Sequence, residues 1–407
     1  MMITRKEFLT SLLLSTTVFL SGCTSTKNGT DPTPEPDTYL VSSAEIASLT
    51  RTQLASQVSQ QFPAQYQALL SAFLVNDVKV YKLVYNTKLP DGTATKASGA
   101  VLIPTSTTKP LAPVPMISQQ HGTILSDIDA PSNFGPNSDA AFGGTLFASI
   151  GFIMVCPDYI GYGESKAFPH TYEHREGLAT ASLDMIRAAK EFVKQKSIKW
   201  DNRLFLTGYS EGGYATMSLQ KKIEEEFPAE FPLTASSIGA GAYHKTAFMK
   251  YIINEETIGI SSYNRLYLWT LLTYNDLYKL NKPMSYYLKE PYATQATQNG
   301  KNITINGTIS NIFTDSFKKA VNDGTETGFL NAVKDNDVYD WKPKTPTYLY
   351  HGTADKLVFY FNTQDAYDAM KKRGATKVEI MPIKDKDHAT AVTDYLLGTY
   401  MYFTSFQ

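Results

Sequence analysis

The stretch that most limits what this chain can fold into runs from Arg203 to Tyr214. It reads Arg-Leu-Phe-Leu-Thr and then Gly208-Tyr209-Ser210-Glu211-Gly212 before a helical pattern opens at Tyr214. An apolar run of strand type therefore passes into a helix across a Gly-x-Ser-x-Gly turn. A turn that tight brings the backbone so close to itself that side chains at the flanking positions would collide with it. Glycine at 208 and 212 meets that demand. The same turn lifts the Ser210 hydroxyl out of the sheet and leaves the next backbone N–H free. So short a pattern also arises by coincidence, and its surroundings have to decide.

The surroundings agree. Short apolar runs at Val114–Ser118, Phe152–Cys156, Arg203–Thr207, Thr347–Tyr350 and Lys377–Pro382 alternate with helical spacing at 178–196, 214–226 and 365–373. Strands alternating with helices predict an α/β fold with a mostly parallel sheet covered on both faces, and chemistry at the carboxyl ends of its strands. Ahead of these runs, Val78–Tyr85 and Ala97–Ile103 flank the turn residues Leu89-Pro-Asp-Gly92, which predicts an antiparallel hairpin at the sheet edge. A helical stretch is expected from about Ser42 to Leu74. From about Tyr243 to Trp341 the strand rhythm stops. This segment is dense in tyrosine, its Ile258–Leu280 part has helical spacing, and Gln298–Ile312 reads as irregular loop. It is expected to be a largely helical cap inserted into a body spanning 41–407.

A serine hydroxyl is a poor nucleophile until a histidine takes its proton and a carboxylate fixes the tautomer of that histidine. After a strand–turn–helix serine of this kind, the acid precedes the histidine along the chain. His388 is the only histidine beyond Asp355, and Asp355 follows the strand Thr347–Tyr350 in a glycine-bearing loop. Ser210, Asp355 and His388 are thus the candidate triad. Asp385 and Asp387 compete with Asp355 for the role of acid, being nearer His388 in sequence. His351 reads as a strand-end residue near the site. The oxyanion of an acyl transfer needs two N–H donors. Glu211 supplies one, and the bend Gln120-His121-Gly122-Thr123 after a strand supplies the other, Thr123 first and Gly122 next. His170 and His174 stand four apart and could share a helical face as metal ligands, or simply mark a surface turn.

With these residues in hand the chain resembles the α/β-hydrolase superfamily, more narrowly its capped esterase and secretory-lipase branch. Asp158-Tyr-Ile-Gly161-Tyr-Gly163-Glu-Ser165, just past a strand, resembles the Asp-x-x-Gly-x-Gly-x-Ser loop of that branch. The resemblance implies a serine hydrolase that cleaves carboxylic esters of small molecules through an acyl-enzyme, with no metal or organic cofactor. A peptidase on the same scaffold and a non-catalytic binding lipoprotein are the alternatives. Glu211 departs from the pattern, since many relatives carry an uncharged residue there. A carboxylate beside the oxyanion opposes the charge of the transition state unless it is turned away or paired.

The N-terminus carries a different message. Arg5 and Lys6 precede an apolar run from Phe8 to Leu20, too short for a membrane span and typical of a secretory signal. Leu20-Ser21-Gly22-Cys23 resembles the bacterial lipobox, which implies removal of residues 1–22 and a lipid anchor at Cys23, holding an exported protein to the cell-envelope membrane. Residues 23–40, with Pro32, Pro34 and Pro36, are expected to be a flexible tether. The remaining cysteine, Cys156, lies in an apolar run and is expected to be a buried thiol without a disulfide partner. The formal net charge is -1 and no basic block stands out, so the footprint of a nucleic-acid binder is missing.

Overall fold

In the computed structural model of the protein, residues 38–61, 64–106 and 110–406 are described. The expected secretory signal and the expected lipidation site, Cys23, fall in residues 1–37 and lie outside them. Among the described residues nine strands form one sheet: β1 (Leu40–Leu49), β2 (Asp77–Lys88), β3 (Ala94–Thr105), β4 (Val114–Gln120), β5 (Ile153–Pro157), β6 (Trp200–Tyr209), β7 (Leu233–Gly239), β8 (Thr347–Gly352) and β9 (Val378–Ile383). They lie side by side in the order β1-β2-β3-β5-β4-β6-β7-β8-β9. The pairs from β1 through β3 to β5 are antiparallel, and every pair from β5 onward is parallel.

Alternation along the central strands builds a core on each face of this sheet. Met116, Ile153, Val155, Leu204 and Leu206 point to one face, where Ile186 and Phe192 of the helix Arg175–Gln195 and Leu219 of the helix Glu211–Glu226 pack on them. Their sequence neighbours Ile117, Met154, Cys156 and Phe205 point to the other face, against Leu54, Val58, Phe147 and Phe403. Strands buried on both faces are continuous apolar runs, which is why these strands stand out in the sequence. The helices are α1 (Arg51–Gln61), α2 (Ala64–Phe73), α3 (Thr145–Ile150), α4 (Arg175–Gln195), α5 (Glu211–Glu226), α6 (Lys245–Asn254), α7 (Ser261–Leu277), α8 (Met284–Tyr287), α9 (Tyr292–Asn299), α10 (Asp315–Asn322), α11 (Thr327–Asp335), α12 (Phe361–Lys372) and α13 (Val392–Thr404).

Helices α6 to α11 all fall between β7 and β8 and form the largely helical insertion. It has its own core, in which Tyr274, Tyr287, Phe313 and Phe317 are fully buried beside Leu268 and Leu271. Much of its tyrosine content is therefore packing, and the hydroxyls also serve as ties. Tyr274 donates to Glu173 O at 2.8 Å and Tyr267 donates to Leu357 O at 2.8 Å, both outside the insertion.

Three local readings differ from expectation. The helix expected from Ser42 is a strand up to Leu49, because β2 offers it an antiparallel partner along its length, with irregularities at Val41 and Ile46; Ser- and Ala-rich composition leaves the choice to that pairing. Helix α1 starts only after Thr50, whose N–H and hydroxyl both reach Gln53 Oε1, while Gln53 N–H reaches the Thr50 hydroxyl. This reciprocal Thr-x-x-Gln cap was legible in the sequence. Strand β7, Leu-Thr-Ala-Ser-Ser-Ile-Gly, was not expected at all: it is central and buried yet carries small polar side chains. Finally, the fold begins before residue 41. Glu191 of α4 accepts the N–H groups of Thr38 at 3.0 Å and Leu40 at 2.6 Å, so the last residues of the expected tether are fastened to the body.

His174 closes the N-terminus of α4 by accepting the Gly177 N–H on Nδ1 at 3.1 Å. It is buried, and burial pushes its pKa down to about 4. A histidine kept neutral in the fold and free to protonate when unfolded favours the fold fully above the unfolded value. That contribution is lost as pH falls from about 6.5 toward 4, by an amount on the order of 3 kcal/mol. His174→Asn keeps a capping acceptor and removes the titration. Denaturant titrations from pH 7 to pH 4 are expected to show a flatter acid limb for the variant, and an unchanged limb would refute the assignment.

Candidate active site

The turn between β6 and α5 has the geometry its glycines foreshadow. Ser210 has φ 60° and ψ -125°, a backbone state that few non-glycine residues adopt. A Cβ on Gly208 would stand 2.3 Å from Gly212 O, and one on Gly212 would stand 2.2 Å from Gln120 O. Neither position admits a side chain. The strained residue is held by its neighbours: Ser210 N–H donates to Gly239 O at 3.0 Å, and Tyr214 N–H donates to Ser210 O at 3.0 Å.

Ser210 Oγ lies 2.8 Å from His388 Nε2, and His388 Nδ1 lies 2.6 Å from Asp355 Oδ2. A nitrogen facing a carboxylate carries the proton, so Nδ1 is the N–H and the Nε2 lone pair faces the serine. The main chain of His388 is also held, by the Tyr209 hydroxyl donating to His388 O at 2.8 Å. Asp355 sits in a loop after β8 and is buried. Its Oδ1 accepts the N–H groups of Leu357 and Val358 at 2.8 and 3.0 Å. Burial alone would raise the Asp355 pKa; the hydrogen bonds from His351 and His388 outweigh it and hold the carboxyl well below its usual range. The carboxylate is thus charged wherever the protein is folded near neutral pH.

The competing acids are engaged elsewhere. Asp387 accepts the N–H groups of Ala389 and Thr390 ahead of α13, and Asp385 is exposed at a turn with φ 58°. His351 is fully buried at the end of β8. Its Nε2 lies 2.7 Å from Val358 O and 3.2 Å from Asp355 Oδ2, and its Nδ1 lies 2.6 Å from the Thr363 hydroxyl. Facing a carbonyl, Nε2 must be the N–H, so His351 is a second donor behind the acid. No sequence signal announced that role.

Glu211 N–H, the first of α5, has no helical carbonyl to reach. Of the two amides expected from the bend, Thr123 first and Gly122 next, the second needs a correction. Gly122 N–H donates to Asp139 Oδ2 at 2.8 Å and is consumed there. The bend does lie against the serine, since a Cβ on Gly122 would stand 4.0 Å from Ser210 Cβ. Thr123 N–H donates to no acceptor among the described residues. Asp139 was missed because nothing in its sequence surroundings links it to the bend.

His170 and His174 do not face a common point, and no group of His, Cys, Asp or Glu among the described residues could hold a metal ion. His170 is buried against Glu211 instead, with Nε2 2.6 Å from Glu211 Oε1 and Nδ1 2.7 Å from Ile160 O. Nδ1 faces a carbonyl and must carry a proton. One more proton therefore lies between Nε2 and Oε1, and the pair is neutral as a whole wherever that proton rests. The Asp158 loop prepares this contact. Asp158 is itself buried, accepting Ser132 N–H at 2.7 Å and the Ser98 hydroxyl at 2.5 Å, and the loop that follows presents the Ile160 carbonyl to His170.

Two cavities meet at Ser210. One lies under the insertion, where Phe248, Leu266, Tyr267 and Leu357 surround the buried ion pair of Lys245 and Glu173. The other, of about 130 Å³, opens between the Gln119–Gly122 bend, the wide helical turn Ala140–Gly144 and the start of α13.

A mostly parallel sheet with a strained serine between strand and helix, followed in the chain by a linked aspartate and histidine, defines an α/β-hydrolase. The chain belongs to the secretory lipase family, whose model matches residues 145–396. It is a hydrolase of ester bonds. Among solved structures it is similar to a Legionella pneumophila protein described as a candidate hydrolase, with a TM-score of 0.77 and 26% identity over 90% of this chain and 98% of that one. It shares its fold with the rice cell wall degrading esterase LipA of Xanthomonas oryzae, with a TM-score of 0.74 and 22% identity over 89% of this chain and 95% of that one. The fold also recurs in Candida antarctica lipase A, with a TM-score of 0.61 and 17% identity over 89% and 83%. A comparison with curated protein sequences gave no match.

The Glu211–His170 pair yields a prediction. His170→Phe strands a buried carboxylate and is expected to cost about 3–5 kcal/mol of stability in urea denaturation. Replacing both, as His170→Phe with Glu211→Met, should recover most of that loss, because the unpaired charge is gone. A double variant no more stable than His170→Phe alone would overturn the pairing.

Proposed function

We propose that this protein is a serine carboxylester hydrolase in which Ser210 is the nucleophile, His388 the base and then the acid, and Asp355 the orienting carboxylate. The observation that carries the reading is the unbroken chain from Ser210 Oγ through both ring nitrogens of His388 to Asp355, at 2.8 and 2.6 Å. Ser210 attacks the ester carbonyl while His388 Nε2 takes its proton. The imidazolium so formed is stabilised by Asp355, which keeps its charge through its contacts with Leu357, Val358 and His351. The Glu211 and Thr123 N–H groups receive the oxyanion. The shared proton between Glu211 and His170 supports this assignment, because a neutral pair does not oppose the developing negative charge as a bare carboxylate would. Collapse of the tetrahedral species expels the alcohol, which leaves with the proton from His388. Water repeats the sequence to free the acid.

Family membership implies export, and the chain's own leader supports a finer reading: residues 1–22 are removed and Cys23 is lipidated. The body then hangs from the membrane by a tether that ends at about residue 38, where Glu191 takes hold of the main chain. No helix of the described residues is long and apolar enough to cross a membrane.

Two measurements test these readings. With chromogenic esters, Ser210→Ala is expected to lower kcat by about 10⁴- to 10⁶-fold and to abolish labelling by a fluorophosphonate. Hydrolysis that survives the substitution sinks the serine assignment, and a preference for an aminoacyl amide over every ester moves the protein to the peptidases. Cys23→Ser is expected to shift the protein from the membrane fraction to the soluble fraction. Retention in the membrane fraction would refute the anchor.

A further inference from the structure

Two peptide groups join His121, Gly122 and Thr123 in the bend beside the nucleophile, and three of their four polar atoms are engaged. The Tyr159 hydroxyl donates to His121 O at 3.0 Å, and Gly122 N–H donates to Asp139 Oδ2 at 2.8 Å. Gly122 O faces the ring of His121, with Nδ1 at 2.7 Å. Only the Thr123 N–H is left without an acceptor among the described residues. The bend also presses on the nucleophile turn, since a Cβ on Gly212 would stand 2.8 Å from His121 O.

The His121 ring is buried, and its second nitrogen, Nε2, lies 3.1 Å from another carbonyl, Asp158 O. A carbonyl oxygen can only accept, so each ring nitrogen facing one carries a proton. A ring protonated at both nitrogens is an imidazolium. A buried cation is tolerated where its N–H groups are bonded and its surroundings favour positive charge. Both conditions are met here. The ring of Tyr159 lies against the imidazole at 4.1 Å, and that of Tyr162 meets it edge-on at 6.0 Å. Burial pushes the Asp158 carboxyl up, while Ser132, Ser98 and the charge of His121 pull it down.

We propose that His121 is an imidazolium in the folded enzyme and a positioning residue for the oxyanion: by holding Gly122 O, it aims the Thr123 N–H of the same peptide group. A trans peptide sets its oxygen and its hydrogen on opposite sides of one rigid plane, so holding the oxygen directs the N–H. A charged donor at the oxygen also draws electron density from the amide nitrogen and strengthens its N–H as a donor. The inference rests on Ser210 being the nucleophile and Thr123 N–H an oxyanion donor.

Two readouts on the full-length protein test it. With isotope-labelled histidine, proton–nitrogen correlation spectra at about pH 8 are expected to show a ring with both nitrogens protonated that disappears in His121→Gln; a histidine of ordinary pKa, about 6.5, is neutral there. If the ring lost on substitution has one unprotonated nitrogen, the proposal is overturned. The second readout is kinetic. His121→Gln keeps a neutral donor and His121→Phe keeps only the ring, and thermal melts identify folded variants. With p-nitrophenyl butyrate, kcat is expected to fall about tenfold in His121→Gln and about 10²- to 10³-fold in His121→Phe, with KM within about threefold of the parent. A boronic acid that forms a tetrahedral adduct with Ser210 should lose affinity in step with kcat/KM, as a merely loosened fold would not require. A folded variant that keeps the parent kcat, or that binds the boronic acid as tightly as the parent does, overturns the proposal. If His121→Phe does not fold, His121→Gln decides alone. A parent protein that fails to react with a fluorophosphonate would fall on the serine assignment instead, and the spectra would still judge the charge on His121.

Discussion

Everything at the site depends on one residue held in a conformation it would not choose. Ser210 at φ 60° is sterically disfavoured, and such a state persists only when its surroundings over-determine it. Here β7 accepts its N–H, α5 takes its carbonyl, and the absence of side chains at 208 and 212 lets β4 and the helix close around it. That closure is what sets the hydroxyl opposite His388. The sheet order, with β6 between β4 and β7, is thus part of the chemistry: both neighbours must be present for the turn to hold.

Much of this was legible in the sequence, for identifiable reasons. A Gly-x-Ser-x-Gly turn between a strand and a helix has few structural solutions, and the order rule left His388 alone as its histidine. Those central strands that are uniform apolar runs, such as β5 and the middle of β6, announce themselves. The failures also have physical causes. Strand β1 lies at the edge with a mixed, half-exposed pattern, so only its pairing with β2 reveals it. Strand β7 carries Ala, Ser and Ser at its centre and ends on Gly239, where a Cβ would stand 2.4 Å from the Tyr209 ring, and that crowding is invisible along the chain. Gly122, the second choice for the bend's donor, is taken up by Asp139, 17 residues on, a contact that the sequence did not announce. His351 and His170 act through contacts that folding alone creates.

Charge is managed at this site by pairing it in the interior. Asp355 is surrounded by four donors from His388, His351, Leu357 and Val358, which keep it ionised despite burial. Lys245 and Glu173 neutralise each other where the insertion meets the body, and the Tyr274 hydroxyl binds the carbonyl of the same Glu173. A single residue, Glu173, thereby ties two helices of the insertion, α6 and α7, to the wall of the cavity beside Ser210.

The Glu211–His170 contact has a meaning for descent as well as for catalysis. Neither residue is tolerable alone in its buried place, since loss of the imidazole strands a carboxylate next to the reacting centre, and loss of the carboxylate leaves a ring nitrogen with nothing to meet. The two codons form one inherited character although about forty positions separate them. Lineages that replace the acid after the nucleophile are expected to relax the histidine within the same stretch of evolutionary time, so the pair should appear in an alignment as joint substitution rather than as two independent columns.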